Sequence, residues 1–138
     1  MRIYIAASWK HRYCVELLTA ELRRHGYDVD SFVEHKTDHE FSTGEKGNGA
    51  GISFEEWVWS KDGEEKFKFD TDSAINADAV IYISPSGQDA WAEIGAAWAS
   101  GVKIIGMSAK GEGVGLMRRM VKWVTTMSGL MKELREVA

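Results

Sequence analysis

The sequence is poor in cysteine, in long apolar runs and in excess basic charge. Its 138 residues include a single cysteine, Cys14, which excludes an intrachain disulfide and a cysteine-rich metal site. No apolar run approaches the roughly 18 residues that a membrane-spanning helix needs, and nothing resembles a signal peptide. We therefore expect a cytoplasmic protein that does not enter a membrane.

The charge balance is slightly acidic, with a formal net charge of −4. This balance argues against a protein whose main partner is duplex nucleic acid. The four histidines show no metal-ligand spacing with the cysteine or with one another, so we expect neither a metal nor a cofactor. With 44% apolar residues, the chain has an ordinary globular composition and is expected to form one domain over residues 1–138.

Tryptophan, in contrast, is abundant, with six residues in a short chain. They are Trp9, Trp57, Trp59, Trp91, Trp98 and Trp123. Flat aromatic faces suit stacking on heterocycles, so some of these rings are candidates for binding a nucleobase.

Apolar strand patterns alternate with helical patterns along the chain. The predicted strands are Ile3–Ala6, Tyr27–Val33, Ala79–Ile83, Val102–Met107 and Val121–Thr125, and the longer predicted helices are Arg12–His25, Phe69–Asn76, Ala90–Ser100 and a last one from about Ser128. Such alternation predicts an α/β fold with a parallel sheet covered on both faces. We expect a three-layer sandwich with five strands in the flavodoxin-like order 2-1-3-4-5.

The pattern weakens between residues 34 and 66, which are rich in charge and glycine. So long an irregular stretch in a compact domain is typical of a lid or binding loop, or of disorder. Within it, Ser53 and Glu56 have the spacing of a capping box for a short helix through Trp57, and Lys61–Lys66 is predicted to be a charged turn. On the first helix, Cys14 and Leu17 are expected to share the buried face with Leu18 and Leu22.

The chemical candidates begin with Glu93, predicted to lie in the first turn of the helix that follows the third strand. A carboxylate there is favoured by the helix macrodipole and could simply decorate the helix start. Its neighbours Ala92, Ile94, Gly95 and Ala96 are small or apolar, however, so the charge would be partly desolvated. We therefore favour a functional role for Glu93.

Asp70 and Asp89 are the other candidate carboxylates. Each has an equally good explanation as a helix N-cap. If the loops converge above the strand ends, two or three carboxylates meet there and can divide into nucleophile and acid.

Two turns offer polar groups to a ligand. The turn Ser84–Gln88, with Ser86 and Gly87, suits a sugar hydroxyl or a phosphate at a helix N-terminus, although turns are rich in such residues anyway. The turn after the first strand combines Ser8, Trp9 and Arg12. It is either a solvated loop or a base-stacking ring beside an anion site.

These pieces together resemble the nucleoside 2-deoxyribosyltransferase family, including its relatives that hydrolyse nucleoside monophosphates. The resemblance is carried by I-Y-I-A-A-S at residues 3–8, F-D-T-D-S-A-I-N-A-D-A-V at 69–80, A-E-I-G-A-A at 92–97 and G-V-K-I-I-G at 101–106. These segments are spread over most of the chain outside residues 34–66.

The resemblance implies that Glu93 is the nucleophile at the anomeric carbon and that Asp70 lies beside the substrate. It also implies a flavodoxin-like sheet and a homo-oligomer. The chain departs from the family at Gly87, where Asp or Ser is usual six residues before the glutamate; Ser86 and Asp89 lie on either side.

Three functions follow as hypotheses. The first is transfer of a 2-deoxyribosyl group between bases, with Trp9 and Trp57 holding the base. The second is hydrolysis of nucleoside 5′-monophosphates, with Arg12 and Ser86 at the phosphate. The third is a nucleotide-binding or sensing domain that has lost turnover.

Overall fold

The computed structural model describes residues 1–34 and 53–137, which form five β-strands and five α-helices. The strands are Arg2–Ala6 (β1), Asp28–Asp30 (β2), Ala79–Ile83 (β3), Lys103–Met107 (β4) and Val121–Val124 (β5). The α-helices are Arg12–Arg24 (α1), Phe54–Val58 (α2), Lys61–Asn76 (α3), Gln88–Ala99 (α4) and Met127–Arg135 (α5). Short 3-10 helices cover Trp9–His11, Phe32–Glu34 and Leu116–Met120.

The strands form one sheet in the order β2-β1-β3-β4-β5, and every neighbouring pair is parallel. The predicted fold class and strand order are therefore confirmed. From β1 the chain proceeds to β2 on one side, and the strands from β3 onward are added on the other side. The carboxyl ends of β1 and β3 thus flank the topological switch point, where open α/β sheets bind ligands.

Two apolar cores cover the two faces of the sheet, because alternate strand residues point to opposite faces. In β1, Ile3 and Ile5 belong to the core that α1 and α5 close, whereas Tyr4 and Ala6 belong to the core that α3 and α4 close. All five residues of β3 are buried, as expected for a central parallel strand. Helices on both faces give the predicted three layers.

Helix α3 is twice as long as predicted, because the expected charged turn Lys61–Lys66 is its first part. Ser60 caps it by accepting a hydrogen bond from the Gly63 N–H at 3.2 Å. Acidic residues in its first turn complement the helix dipole. The charges that suggested a turn are therefore the exposed face of a helix. Residues 35–52 of the predicted lid segment lie outside the described residues, and its role as a lid stays a prediction.

Helix α2 begins as predicted. Ser53 accepts from the Glu56 N–H at 3.0 Å, and Glu56 accepts in return from the Ser53 N–H at 3.4 Å, which completes the capping box. The strand predicted from Val121 and the last predicted helix are also present, as β5 and α5. Strand β2 is shorter than predicted, since the chain turns into a 3-10 helix at Phe32.

The buried face of α1 differs from the prediction. Cys14 is exposed and Leu17 is 74% exposed, whereas Val15 and Thr19 lie in the core beside Leu18. Thr19 can be buried because its hydroxyl donates to the Val15 carbonyl oxygen at 2.7 Å.

None of the helices in the described ranges is both long and apolar enough to cross a membrane.

Candidate functional site

The candidate site lies at the switch point, between the turns that follow β1 and β3. The first turn leads to α1 on one face of the sheet and the second leads to α4 on the other face. At such a point open α/β sheets bind their ligands, so it is the expected place for a site in this protein.

Three predicted binding residues, Ser8, Ser86 and Gly87, join these two turns. The Ser8 hydroxyl accepts a hydrogen bond from the Gly87 N–H at 2.8 Å, and the Ser8 N–H donates to the Ser86 hydroxyl at 2.9 Å. Ser86 Oγ in turn donates to the carbonyl oxygen of Ile83 at 2.7 Å. We call these contacts the serine clasp. They bring the three residues together, while the role of these residues in binding a substrate stays a prediction.

Glu93 lies on α4, the helix that follows the turn after β3. The helix begins at Gln88, so Glu93 is in its second turn and not, as predicted, in the first. The Tyr4 hydroxyl donates to Glu93 Oε1 at 3.0 Å. Burial, followed by the nearby charge of Asp70, raises the pKa of Glu93 to about 8. Burial and the nearby charge therefore favour the protonated form of Glu93 in the resting protein.

Tyr4 is a fixed hydrogen-bond donor to this carboxyl group. Its side chain is almost fully buried, with 1% of the residue exposed. Burial first, and then the negative charges of Glu93 and Asp70, raise its pKa well above the ordinary value. The phenol therefore keeps its proton over the working pH range.

Asp70 lies in the interior of α3, so its possible role as an N-cap is wrong. Its Oδ1 is 3.0 Å from the ammonium of Lys66, one helical turn earlier, and the two side chains are 18% and 10% exposed. Asp70 is close enough to Glu93 to raise the pKa of that group. Asp70 and Glu93 therefore lie near each other but inside helices, so the predicted meeting of carboxylates on loops above the strand ends stays a prediction.

Tyr4 and Lys66 complete this cluster, and the sequence carries only weak signals for either residue. A tyrosine in an otherwise apolar strand needs a partner for its hydroxyl, and Lys66 stands four residues before Asp70, the spacing of a helical ion pair. Neither signal is specific, because tyrosines are common in strands and such pairs are common on exposed helices.

Asp89 is exposed in the first turn of α4. The N-cap of this helix is Gly87, without a side-chain cap, so the N-cap role considered for Asp89 is wrong. Its charge adds only the smallest of the influences that raise the pKa of Glu93. Asp89 therefore lies at the rim of the cluster.

Of the predicted aromatic and cationic groups, Trp9 and Arg12 lie together in the turn after β1, whereas Trp57 packs elsewhere. Trp9 packs against the core and tilts against Phe32, with ring centroids 6.2 Å apart. The Arg12 guanidinium lies 6.0 Å from the Trp9 ring, so the turn after β1 does combine a ring with a cation. Trp57, in contrast, is buried and stacks on Phe54 at 5.8 Å, so its faces pack within the protein.

Glu112, in the loop after β4, is a carboxylate of this region that the sequence pattern does not mark. It accepts hydrogen bonds from the Tyr82 hydroxyl, from Ser84 Oγ at 2.9 Å and from Trp91 Nε1 at 3.3 Å. The Tyr82 oxygen also accepts from the Ser86 N–H at 2.9 Å. Glu112 thereby connects the β4 loop to the turn that carries the serine clasp.

Replacing Glu112 by glutamine is expected to lower the free energy of unfolding by about 1–3 kcal/mol. A glutamine oxygen can still accept from Tyr82 and Ser84, but its amide group would face the Trp91 N–H and leave that donor unpaired. Urea unfolding measures the change. Glu16→Gln, at an exposed position on α1, is the control and should stay within about 0.5 kcal/mol. Equal stability of the two variants would contradict the structural role of Glu112.

Other features of the described residues lie away from this cluster. A surface depression of about 470 Å³ lies against the edge strand β2 and is lined by Arg2, Arg23, Tyr27, Asp28, Val29 and Asp30, none of them a predicted site residue. Within residues 1–34 and 53–137, no group of three His, Cys, Asp or Glu side chains is arranged to hold a metal ion.

Comparisons with known proteins point to the same fold. No family model and no curated protein sequence matches the chain. Among solved structures, a CMP N-glycosidase from Clostridium botulinum covers 98% of this chain and 99% of its own, at 21% identity and a TM-score of 0.59. A 2-deoxyribosyltransferase from the psychrotolerant bacterium Bacillus psychrosaccharolyticus covers 94% of this chain and 90% of its own, at 22% identity and a TM-score of 0.68. The fold implied by the resemblance to the 2-deoxyribosyltransferases is therefore confirmed.

Proposed function

We propose that this protein belongs to the nucleoside 2-deoxyribosyltransferase family and cleaves the N-glycosidic bond of a nucleoside or nucleotide. The observation that carries the proposal is the cluster of Glu93, Asp70 and Tyr4 at the switch point of the sheet. The comparisons support the proposal because two enzymes of the same fold have names that describe glycosidic chemistry on nucleosides or nucleotides.

The chemistry requires a carboxylate below the anomeric carbon, because cleavage passes through an oxocarbenium-like transition state. Glu93 first loses its proton. One of its oxygens then forms a bond to C1′ while the C1′–N bond breaks, and the electron pair leaves with the base. The base takes up a proton from solvent, which balances the proton that Glu93 released to solvent. Asp70, the carboxyl group nearer to Glu93 in the cluster, orients the sugar. Tyr4 holds Glu93 in place through the 3.0 Å hydrogen bond.

The fate of the glycosyl-enzyme separates two reactions. Attack by a nitrogen of a second base gives transfer of the 2-deoxyribosyl group, which is our first proposal. Attack by water gives hydrolysis. The basic turn after β1, with Arg12 beside the Trp9 ring, favours hydrolysis of a 5′-monophosphate as the second candidate, because a guanidinium suits phosphate.

Incubation with deoxynucleosides and with nucleoside 5′-monophosphates, each with and without a free acceptor base, tests the proposal. We expect a new nucleoside that forms only with the acceptor, detected by chromatography. Free base with sugar phosphate, in the absence of acceptor, would favour hydrolysis. Tight nucleotide binding by calorimetry with no cleavage during long incubation would overturn the proposal and favour a binding or sensing domain. The expected homo-oligomer is measurable by light scattering on the same sample.

A further inference from the structure

Lys66 is a buried cation beside the proposed catalytic carboxyl groups. The residue is 8% exposed, and its Nζ lies 3.0 Å from Asp70 Oδ1. The ammonium also lies 5.0 Å from the centre of the Phe32 ring and 5.9 Å from that of Phe69. Lysine is almost never buried to this extent without a paired charge.

The surroundings of Lys66 show why its charge is retained. Removing an ammonium from water is costly unless a counter-charge and further polar contacts replace the lost hydration. Asp70 supplies the counter-charge, and the two ring faces supply cation–π attraction. The ion pair is therefore fixed by packing from α3 and from the segment after β2.

This fixed cation breaks the symmetry of the two carboxyl groups. Two partly buried carboxyl groups close together do not both ionise easily, which favours retention of one proton by the pair. Asp70 has the ammonium at 3.0 Å, whereas the recorded hydrogen bond of Glu93 is to the neutral Tyr4 hydroxyl. The negative charge is therefore more stable on Asp70, and the proton is more stable on Glu93.

We propose that Lys66 is a positioning residue for the Glu93 chemistry, because its ammonium pairs with Asp70, offsets the Asp70 charge and limits the cost of ionising Glu93. The catalytic part of this inference rests on the proposed function, whereas the arrangement of charge and proton does not. Lys66 acts through Asp70 and through the local field.

The direction of its effect follows from all the groups that face Glu93. Asp70 and Asp89 raise the pKa of Glu93, while Lys66 and the Tyr4 hydrogen bond lower it. These groups come from α3, α4 and β1. Loss of the Lys66 charge therefore makes Glu93 harder to ionise, and an enzyme that attacks with ionised Glu93 then needs a higher pH.

Carboxyl titration of the resting protein tests the inference without any substrate. The side-chain carboxyl carbons of glutamate are labelled with ¹³C, and the Glu93 signal is assigned by its loss in Glu93→Gln. In Lys66→Met we expect the Glu93 midpoint to rise by about one pH unit. Lys66→Arg, which keeps the charge, should return the midpoint towards that of the parent. Lys68→Met, on the same helix but exposed, should leave it unchanged.

An unchanged Glu93 midpoint in folded Lys66→Met would overturn the inference. If that variant does not fold, Asp70→Asn serves instead. Removing the Asp70 charge should lower the Glu93 midpoint, and an unchanged value would again overturn the inference.

The outcome is distinguishable from failure of the proposed function. A shifted midpoint in a protein that cleaves no nucleoside or nucleotide would uphold the role of Lys66 and reject the proposed reaction. Cleavage by the parent with no shift of the Glu93 midpoint in Lys66→Met would uphold the proposed reaction and reject the role of Lys66. If the parent cleaves the substrate and the midpoint also shifts, the acidic limb of the kcat/KM profile should move to higher pH in Lys66→Met and not in Lys68→Met.

Discussion

Replacing Glu93 by glutamine is expected to lower kcat for N-glycosidic cleavage by about 1,000-fold or more, as for other deleted nucleophiles. An amide of nearly the same shape can occupy the site and accept from Tyr4, but it cannot form the ester bond to C1′. Substrate affinity should change much less than the rate. Single-turnover cleavage and calorimetric binding measure the two quantities, with Glu16→Gln as the control. Cleavage by Glu93→Gln at the parent rate would remove Glu93 from the mechanism.

The same substitution should make the protein more stable at alkaline pH. Glu93 has a pKa of about 8 in the folded protein and 4.5 as its ordinary value, so the unfolded chain releases this proton first. The parent therefore loses stability as the pH rises from 4.5 through 8. Glutamine has no proton to release, and the stability difference should grow by on the order of 3 kcal/mol between pH 5 and pH 8. Urea unfolding at both pH values checks this, and a constant difference would contradict the raised pKa.

Replacing Gly63 by alanine is expected to lower the free energy of unfolding by about 3 kcal/mol. A Cβ atom at Gly63 would lie 2.2 Å from the carbonyl oxygen of Trp57 and 2.5 Å from that of Val58. Both atoms belong to the backbone of α2 and cannot turn aside as a flexible side chain could. The first turn of α3, which precedes Lys66 and Asp70, would have to separate from α2.

Gly95→Ala is the matched control for this prediction. Gly95 lies inside α4, and a Cβ there meets nothing within 4 Å. Alanine should therefore stabilise the protein by about 0.5–1 kcal/mol through its better helix propensity. Equal stability of Gly63→Ala and the parent in urea unfolding would show that the packing of α2 on α3 is looser than the structure indicates.

The alternation of strands and helices could be predicted from the sequence because β1, β3 and β4 are short, mainly apolar runs between helical patterns. The start of α3 could not, because Lys61–Lys66 has charged residues on several sides and its buried members, Gly63 and Lys66, do not look apolar. The buried face of α1 was displaced by one residue for a related reason. Thr19 reaches the core only because it bonds the backbone of Val15, and no hydrophobicity pattern shows that bond.

In the candidate site, too, the sequence marked some residues and missed others. Glu93 and Asp70 stood out as carboxyl groups in segments that form the core, and the structure brings them together. Lys66 and Glu112 did not stand out, because their importance depends on contacts between residues distant in the chain. Glu112 lies 28 residues from Ser84, with which it shares a hydrogen bond. Such contacts become visible only when the sheet has assembled.

The serine clasp has a consequence for how a ligand would be received. Ser8 and Gly87 are 79 residues apart in sequence, yet their hydrogen bond joins the turn after β1 to the turn after β3 in the folded protein. The entropy of ordering these two turns is therefore lost during folding. If a ligand binds beside them, as we propose, that cost does not weaken its binding a second time.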